Sequence, residues 1–547
     1  MSRRGAADEL RLTAREARRL ERAAGSSEAR SPLAGWLGFL DSSRSARRQM
    51  LRKPGRRGWR VAGTGRVNYI DALPEYKGTT VQVCGLWPFI AGSSDPVVGV
   101  PLGKHLMRGT VVCGDPIMWF LANLVTQPSC FVLGRPGLGK STLIRRMVTV
   151  LSAWGIVPMV LSDTKPDYVE LVRAMDGQVI PLARGRGRLN VLDFGPIVAE
   201  LTEITDPAAR ENALEEMRGR RFTMVSGLLA LVLERNLFTF EDNILAEALR
   251  ILDREHAGVP TLSDLLAVIT SRHERLTGLA QDRGDAARYM DRVEHLVDGL
   301  TNLGRGGSFG DLFDGETTEH IIPGTPMVFD LSSIDDSDLQ LQAAVQSVCW
   351  NYGSAVVSAE KHLADAGIRE RRHYFLVMDE LWRMLRASGL MVYFLDALTR
   401  LNRQRGIAQA MITHTMNDLE LASEELSTIA RGFVERSAMV FLGGLADAEM
   451  GNLERVFALS HRERDLITGW SAEGGVNQET GTQAAPPGQG KFLLKVGKKP
   501  GTPFQTALTA AEKTVNDTNR AWASTADRFR DNRGRVAELL EEELEAA

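Results

Sequence analysis

Residues 131–143 read FVLGRPGLGKSTL. Apolar residues run into a glycine-rich turn, then Gly-Lys-Ser, then a helix-like pattern continuing through TLIRRMV. Gly134 to Ser141 fits G-x-x-x-x-G-K-[ST] in the required context, strand before and helix after. Glycines let such a backbone fold tightly, so that its N–H groups and the helix N-terminus face phosphate oxygens. The expected cradle is Gly134, Arg135, Pro136, Gly137, Leu138, Gly139, Lys140, Ser141 and Thr142. In it Lys140 would bridge the β- and γ-phosphates, and the Ser141 hydroxyl would ligate Mg2+.

A site of this kind also needs an acid at the tip of a neighbouring buried strand. The stretch HYFLVMDE, residues 373–380, supplies five apolar residues followed by Asp379 and Glu380. Asp379 is expected to hold the Mg2+ hydration shell, and Glu380 to polarise an attacking water. Alone, such a run is equally a strand ending in a solvated acidic turn; its joint occurrence with the phosphate loop favours chemistry. A carboxylate provided for water favours hydrolysis over transfer to a bound acceptor.

The third stretch is LTRLNRQRGIAQAMITHTMNDL, residues 398–419. Its strand AQAMIT ends at His414 and Thr415, where a core strand would present a γ-phosphate sensor. Arg400, Arg403 and Arg405 precede it, and an arginine supplied across a subunit interface neutralises charge in phosphoryl transfer. Taken singly, arginines on an exposed helix are solvated and a histidine at a strand end is structural; their position beside the sensor strand raises the functional reading. SDTKPDY, residues 162–168, puts Asp163, Lys165 and Asp167 at the carboxyl edge of the sheet, and by spacing alone assigns them nothing.

The rest of the chain bounds these readings. Its 547 residues are 44% hydrophobic and 25% charged, enough for a globular protein of several structural units. The formal net charge of -3 conceals a basic run from Arg44 to Arg60, with Trp59 inside it, and an acidic end AELLEEELEAA. The basic run is either a solvated tail or a surface for phosphates or anionic lipid. Cys84, Cys113, Cys130 and Cys349 never approach CxxC spacing, and the histidines form no HExxH, which speaks against a structural metal and for a reducing compartment. No signal-like segment opens the chain, and the apolar run Met147–Ser162 is shorter than the roughly 20 residues of a spanning helix. The expected location is therefore cytoplasmic, with membrane contact peripheral.

The expected organisation is a basic arm over 1–60, a small β-rich region over 61–128 with runs TTVQVCGLWPFI and GTVVCGD, and an α/β core over 129–195. A helical insertion follows over 196–320, then the second part of the core over 321–512 and a helix with an acidic tail over 513–547. In the insertion Ile244, Leu245, Ala248, Ile251 and Leu252 share one helical face, and Thr261 with Asp264 forms a helix start. Strand-like runs GTPMVFDLS, YFLVMDE, QAMITHT and SAMVFLGG each precede a helical pattern, which predicts a mainly parallel sheet.

The order of these pieces resembles the TraC-like conjugative type IV secretion ATPases (the fourth component of the VirB apparatus) of the HerA/FtsK superfamily. The resemblance spans about residues 80–520. It is carried by VPLGKHLMRGTVVCGDPIMW, the phosphate loop, VLSDTKPDYVELVRAMDGQVIPL, the insertion, PMVFDLSSI, FLVMDELWRML, RLNRQRG with MITHT, LSHRERDLI, and GKFLLKVG with PFQTALTAAE. It implies a RecA-like P-loop core binding Mg-ATP through Gly139, Lys140 and Ser141, with Asp379 as metal-site acid and Glu380 as catalytic acid. It implies a sensor at His414, where the family usually has glutamine, and a trans-acting arginine at Arg403, or alternatively Arg405. It further implies a hexameric motor at the inner membrane face, partnered by secretion components. Family members usually carry a long N-terminal docking domain; the stretch before Gly134 is too short for it, so docking is expected to fall to another polypeptide or to the basic arm. The alternative function is a DNA translocase or coupling protein of the same superfamily, tracking DNA through Arg44–Arg60.

Overall fold

The computed structural model describes residues 95–515 apart from 336, 388, 401–404 and 475–484, all within the unit Ser93–Ala547. The basic run Arg44–Arg60, the strand-like run 79–90, Arg403 and the acidic end 537–547 lie outside the described residues.

The strands are β1 (Pro101–His105), β2 (Val111–Cys113), β3 (Ser129–Leu133), β4 (Val157–Asp163), β5 (Gln178–Pro181), β6 (Met327–Asp330), β7 (Tyr374–Met378), β8 (Ile407–Thr413), β9 (Met439–Leu442), β10 (Lys491–Lys495) and β11 (Thr502–Thr506). They form one 11-stranded sheet in the order β2-β1-β11-β10-β9-β3-β8-β7-β4-β6-β5. From β9 to β5 every pairing is parallel, and β10, β11, β1 and β2 extend the β9 side antiparallel. The mainly parallel sheet expected from the sequence is present.

Every residue of β3, β4, β7 and β8 is buried, as uninterrupted apolar runs require when helices cover both faces of a sheet. Alternating side chains feed two cores. Phe131, Leu133, Met159, Leu376 and Met411 pack on one face, while Cys130, Val132, Val160, Phe375 and Ile412 pack on the other. The helix Lys140–Ala153 covers the second face with Leu143, Ile144, Met147, Val148 and Leu151. The helix Leu339–Asp365 covers the first and is buried nearly all round, because the insertion helix Pro207–Val232 packs against its outer side.

Between β5 and β6 the chain makes the helices Pro207–Val232, Thr239–Glu255, Leu262–Thr270, Glu274–Ala280 and Ala286–Leu303. Ile244, Leu245, Ala248, Ile251 and Leu252 are all buried, as their spacing predicts. Thr261 caps Leu262–Thr270: its hydroxyl accepts from the Asp264 N–H, and the Asp264 carboxylate accepts from the Thr261 N–H at 2.8 Å. Among the described residues no helix is long and apolar enough to cross a membrane.

Candidate functional site

The site is made where parallel strands end together. Leu133 pairs with Thr413, Met378 with Met411, and Val160 with Val377. The carboxyl ends of β3, β8, β7 and β4 therefore reach one edge, the place where open α/β sheets bind ligands. One expectation is corrected here. The acid-bearing strand β7 is not hydrogen-bonded to β3, because β8 lies between them, and His414 consequently stands between Lys140 and Glu380.

The loop after β3 is braced by backbone hydrogen bonds. Gly134 N donates to His414 O at 3.1 Å, Arg135 N to Gly444 O at 3.0 Å, and Gly490 N to Leu138 O at 2.9 Å. Gly137 and Gly139 have φ of 79° and 93°, left-handed values that a side chain resists. Gly139 then opens the helix Lys140–Ala153, so its free N–H groups and positive dipole end face the loop. Arg135 turns away, its guanidinium donating to Ser471 O at 2.8 Å.

Across the edge the Asp379 carboxylate accepts from Ser141 Oγ at 3.3 Å, Tyr168 OH at 3.0 Å and, on its other oxygen, the Glu380 N–H at 2.9 Å. Ser141 and Asp379, distant in sequence, thus meet. Glu380 sits at φ 52°, a left-handed value for a non-glycine residue, which costs on the order of 1–3 kcal/mol where surroundings enforce it. Its carboxylate accepts from Lys165 Nζ at 2.6 Å, Trp382 Nε1 at 2.5 Å and His414 Nε2 at 3.0 Å.

The tautomer of His414 follows from its neighbours. Lys140 Nζ lies 2.8 Å from His414 Nδ1, and an ammonium only donates. Nδ1 therefore accepts, and Nε2 carries the proton directed at Glu380. Asp418 fixes the turn beneath: one of its oxygens accepts from Thr413 Oγ1 at 2.9 Å and from the His414 and Thr415 N–H groups at 3.0 Å.

The electrostatics follow from burial and pairing. Burial, reinforced by the charge of Glu380, pushes the Asp379 carboxyl up to about 6. Burial also pushes Glu380 up, but the hydrogen bonds from His414 and Lys165 outweigh it and hold Glu380 well below the usual carboxylate range. Burial lowers Lys140, against the attraction of Asp379 and Glu380. Asp163, raised by burial, accepts from the Asp167 and Tyr168 N–H groups and so shapes the turn carrying Lys165.

Lys140, Ser141, Asp379, Glu380 and His414 are thus brought together. Arg405 is not: it precedes β8 at the opposite edge of the sheet, where its guanidinium pairs with Glu216 at 3.5 Å. Burial, with Arg220 beside it, lowers Arg405 to about 10. Lys165, Tyr168 and Trp382 also line the site. No local pattern in the sequence marks Tyr168 or Trp382, and Lys165 is marked only by its position at the sheet edge.

A phosphate group fits this edge, given two left-handed glycines, a helix N-terminus and a buried lysine. Among the described residues no three His, Cys, Asp and Glu side chains are grouped to hold a metal alone, so a magnesium ion would enter with phosphate oxygens and meet Ser141 and Asp379.

Fold and loop together define a RecA-like P-loop NTPase architecture. Among solved structures the chain is similar to VirB4 of Thermoanaerobacter pseudethanolicus, with a TM-score of 0.55 and 17% identity over 77% of this chain and 100% of that one. At that identity the likeness is one of fold. The plasmid coupling protein TrwB in complex with ADP and Mg2+ also matches, at a TM-score of 0.42 and 13% identity over 70% of this chain and 85% of that one, too slight a likeness to carry an argument. No protein-family model and no curated relative matches the sequence.

Proposed function

We propose that this chain is an ATP-hydrolysing motor that energises a conjugation or type IV secretion apparatus, working as a hexamer at the cytoplasmic face of the membrane. The observation that carries the ATPase reading is the meeting of Ser141 and Asp379 beside Lys140, His414 and Glu380 at one sheet edge. Support for the secretion role comes from the ordered sequence motifs and from the VirB4 fold likeness.

The residues divide the work. The loop Gly134–Gly139 and the helix N-terminus bind the phosphates, and Lys140 pairs with the terminal ones. Ser141 and Asp379 would hold a magnesium ion, which when bound would draw charge from the phosphoryl oxygens. Glu380 accepts a proton from water as the water oxygen attacks the terminal phosphorus and the bond to the ADP oxygen breaks. His414, the expected sensor, spans from Lys140 to Glu380 and would couple the two when the terminal phosphate is bound. Arg403 is the candidate trans-acting arginine, since Arg405 would first have to leave Glu216.

Steady-state ATP turnover tests this reading. Glu380→Gln is expected to lower kcat by about 100-fold or more while nucleotide still binds, the scale for losing a general base. Equal turnover in the variant and the wild-type protein would remove the assignment.

A further inference from the structure

Both oxygens of Glu380 already accept hydrogen bonds. Lys165 Nζ lies 2.6 Å from Oε1, while Trp382 Nε1 at 2.5 Å and His414 Nε2 at 3.0 Å share Oε2. Three of the roughly four lone-pair positions of the carboxylate are thus taken, and the one left for a proton from water is on Oε1, beside the Lys165 ammonium. The three donors differ in their freedom. Trp382 and His414 pack against each other with ring centroids 6.4 Å apart, and the guanidiniums of Arg383 and Arg386 lie 5.2 Å and 5.6 Å from the Trp382 ring. The Lys165 side chain is 55% exposed on a flexible stem. Its backbone is held, because Asp163 accepts from the N–H groups of Asp167 and Tyr168 just beyond it. The ammonium of Lys165 is therefore the one donor able to leave Glu380 with nothing else moving.

We propose that Lys165 is a positioning residue that latches Glu380 with Oε1 occupied, and that its departure frees Oε1 to receive the proton of water in each turnover. The proposal rests on the reading of Glu380 as the base. Phosphate seated on the loop beside Lys140 offers Lys165 a competing anion, since both ammonium groups are drawn toward Glu380. The exposed ammonium regains water as it leaves, which offsets part of the lost pairing.

ATP hydrolysis by the full chain tests it, comparing wild type with Lys165→Ala, Lys165→Gln, Lys165→Arg and Glu380→Gln. Loss of the latch in Lys165→Ala and Lys165→Gln is expected to raise kcat about threefold to fivefold, the upper range for removing a weak ion pair, with KM within about twofold. Lys165→Arg, which keeps a cation, is expected to stay within about twofold of wild type. A kcat at or below wild type in both neutral variants overturns the latch. So does a tenfold rise in KM, which would make Lys165 a nucleotide ligand. If Glu380→Gln abolishes turnover in the same series, the reading of Glu380 survives either result; if it turns over like wild type, that reading fails and takes the latch with it.

Discussion

At the residue scale, the chemistry depends on charges placed out of water and on which neighbours compensate them. Asp379 is one whose burial is only partly compensated. Its folded-state value of about 6 lies above the unfolded value of about 3.9, so its protonated form is the one the fold favours. The stability this contributes is present below about pH 4 and is lost as the pH rises through about 6. Without nucleotide or magnesium, Asp379→Asn is therefore expected to raise unfolding stability by roughly 1–3 kcal/mol at pH 8 and to have little effect at pH 4. Denaturant titrations at the two pH values check this; equal effects at both would show that Asp379 is not strained by burial. Magnesium binding needs the charged carboxylate, so it should strengthen through the same window. Function thus opposes stability at this position, the usual arrangement where a site must wait for its ligand.

At the element scale, each strand is positioned by apolar runs that the sequence displays openly. The loop, β7 and β8 were legible because each is a local pattern: strand, turn, then polar residue. The insertion was legible through helical periodicity and caps. Thr261→Ala removes the hydroxyl that accepts from the Asp264 N–H and leaves that donor without it; the expected loss is about 1 kcal/mol. A thermal or denaturant melt checks this, and an unchanged midpoint would mean that water replaces the cap. The neighbourhood of β8 was not legible. Nothing local states that β8 inserts between β3 and β7, because sheet order comes from packing among segments hundreds of residues apart. That order puts His414 within reach of Lys140 and Glu380 together, and it carries Arg405 to the far edge beside Glu216.

At the scale of the whole molecule, the proposed motor requires neighbours. Particle images with a non-hydrolysable ATP analogue are expected to show six-fold rings with Arg403 of one subunit near Lys140 of the next. A protein that stays monomeric at every nucleotide concentration would leave the arginine without a target and defeat the ring. The basic run Arg44–Arg60 offers the test between cargo classes. If it tracks DNA, binding will fall steeply with salt, with a slope of about −0.9 per phosphate contact, and DNA will stimulate hydrolysis. A secretion motor that handles no DNA directly will show neither.

The sequence by itself determined the mainly parallel sheet, the glycine-rich turn after β3, the paired acids after β7 and the helices between β5 and β6, because each is encoded within a short span by period, turn chemistry and charge. Only the tertiary structure decided how those spans meet. It placed His414 as a bridge from Lys140 to Glu380, set Tyr168 on Asp379, and paired Lys165 with Glu380. The physical reason is that strand order and side-chain pairing are settled by burial summed over the whole sheet, a quantity no single stretch of residues contains.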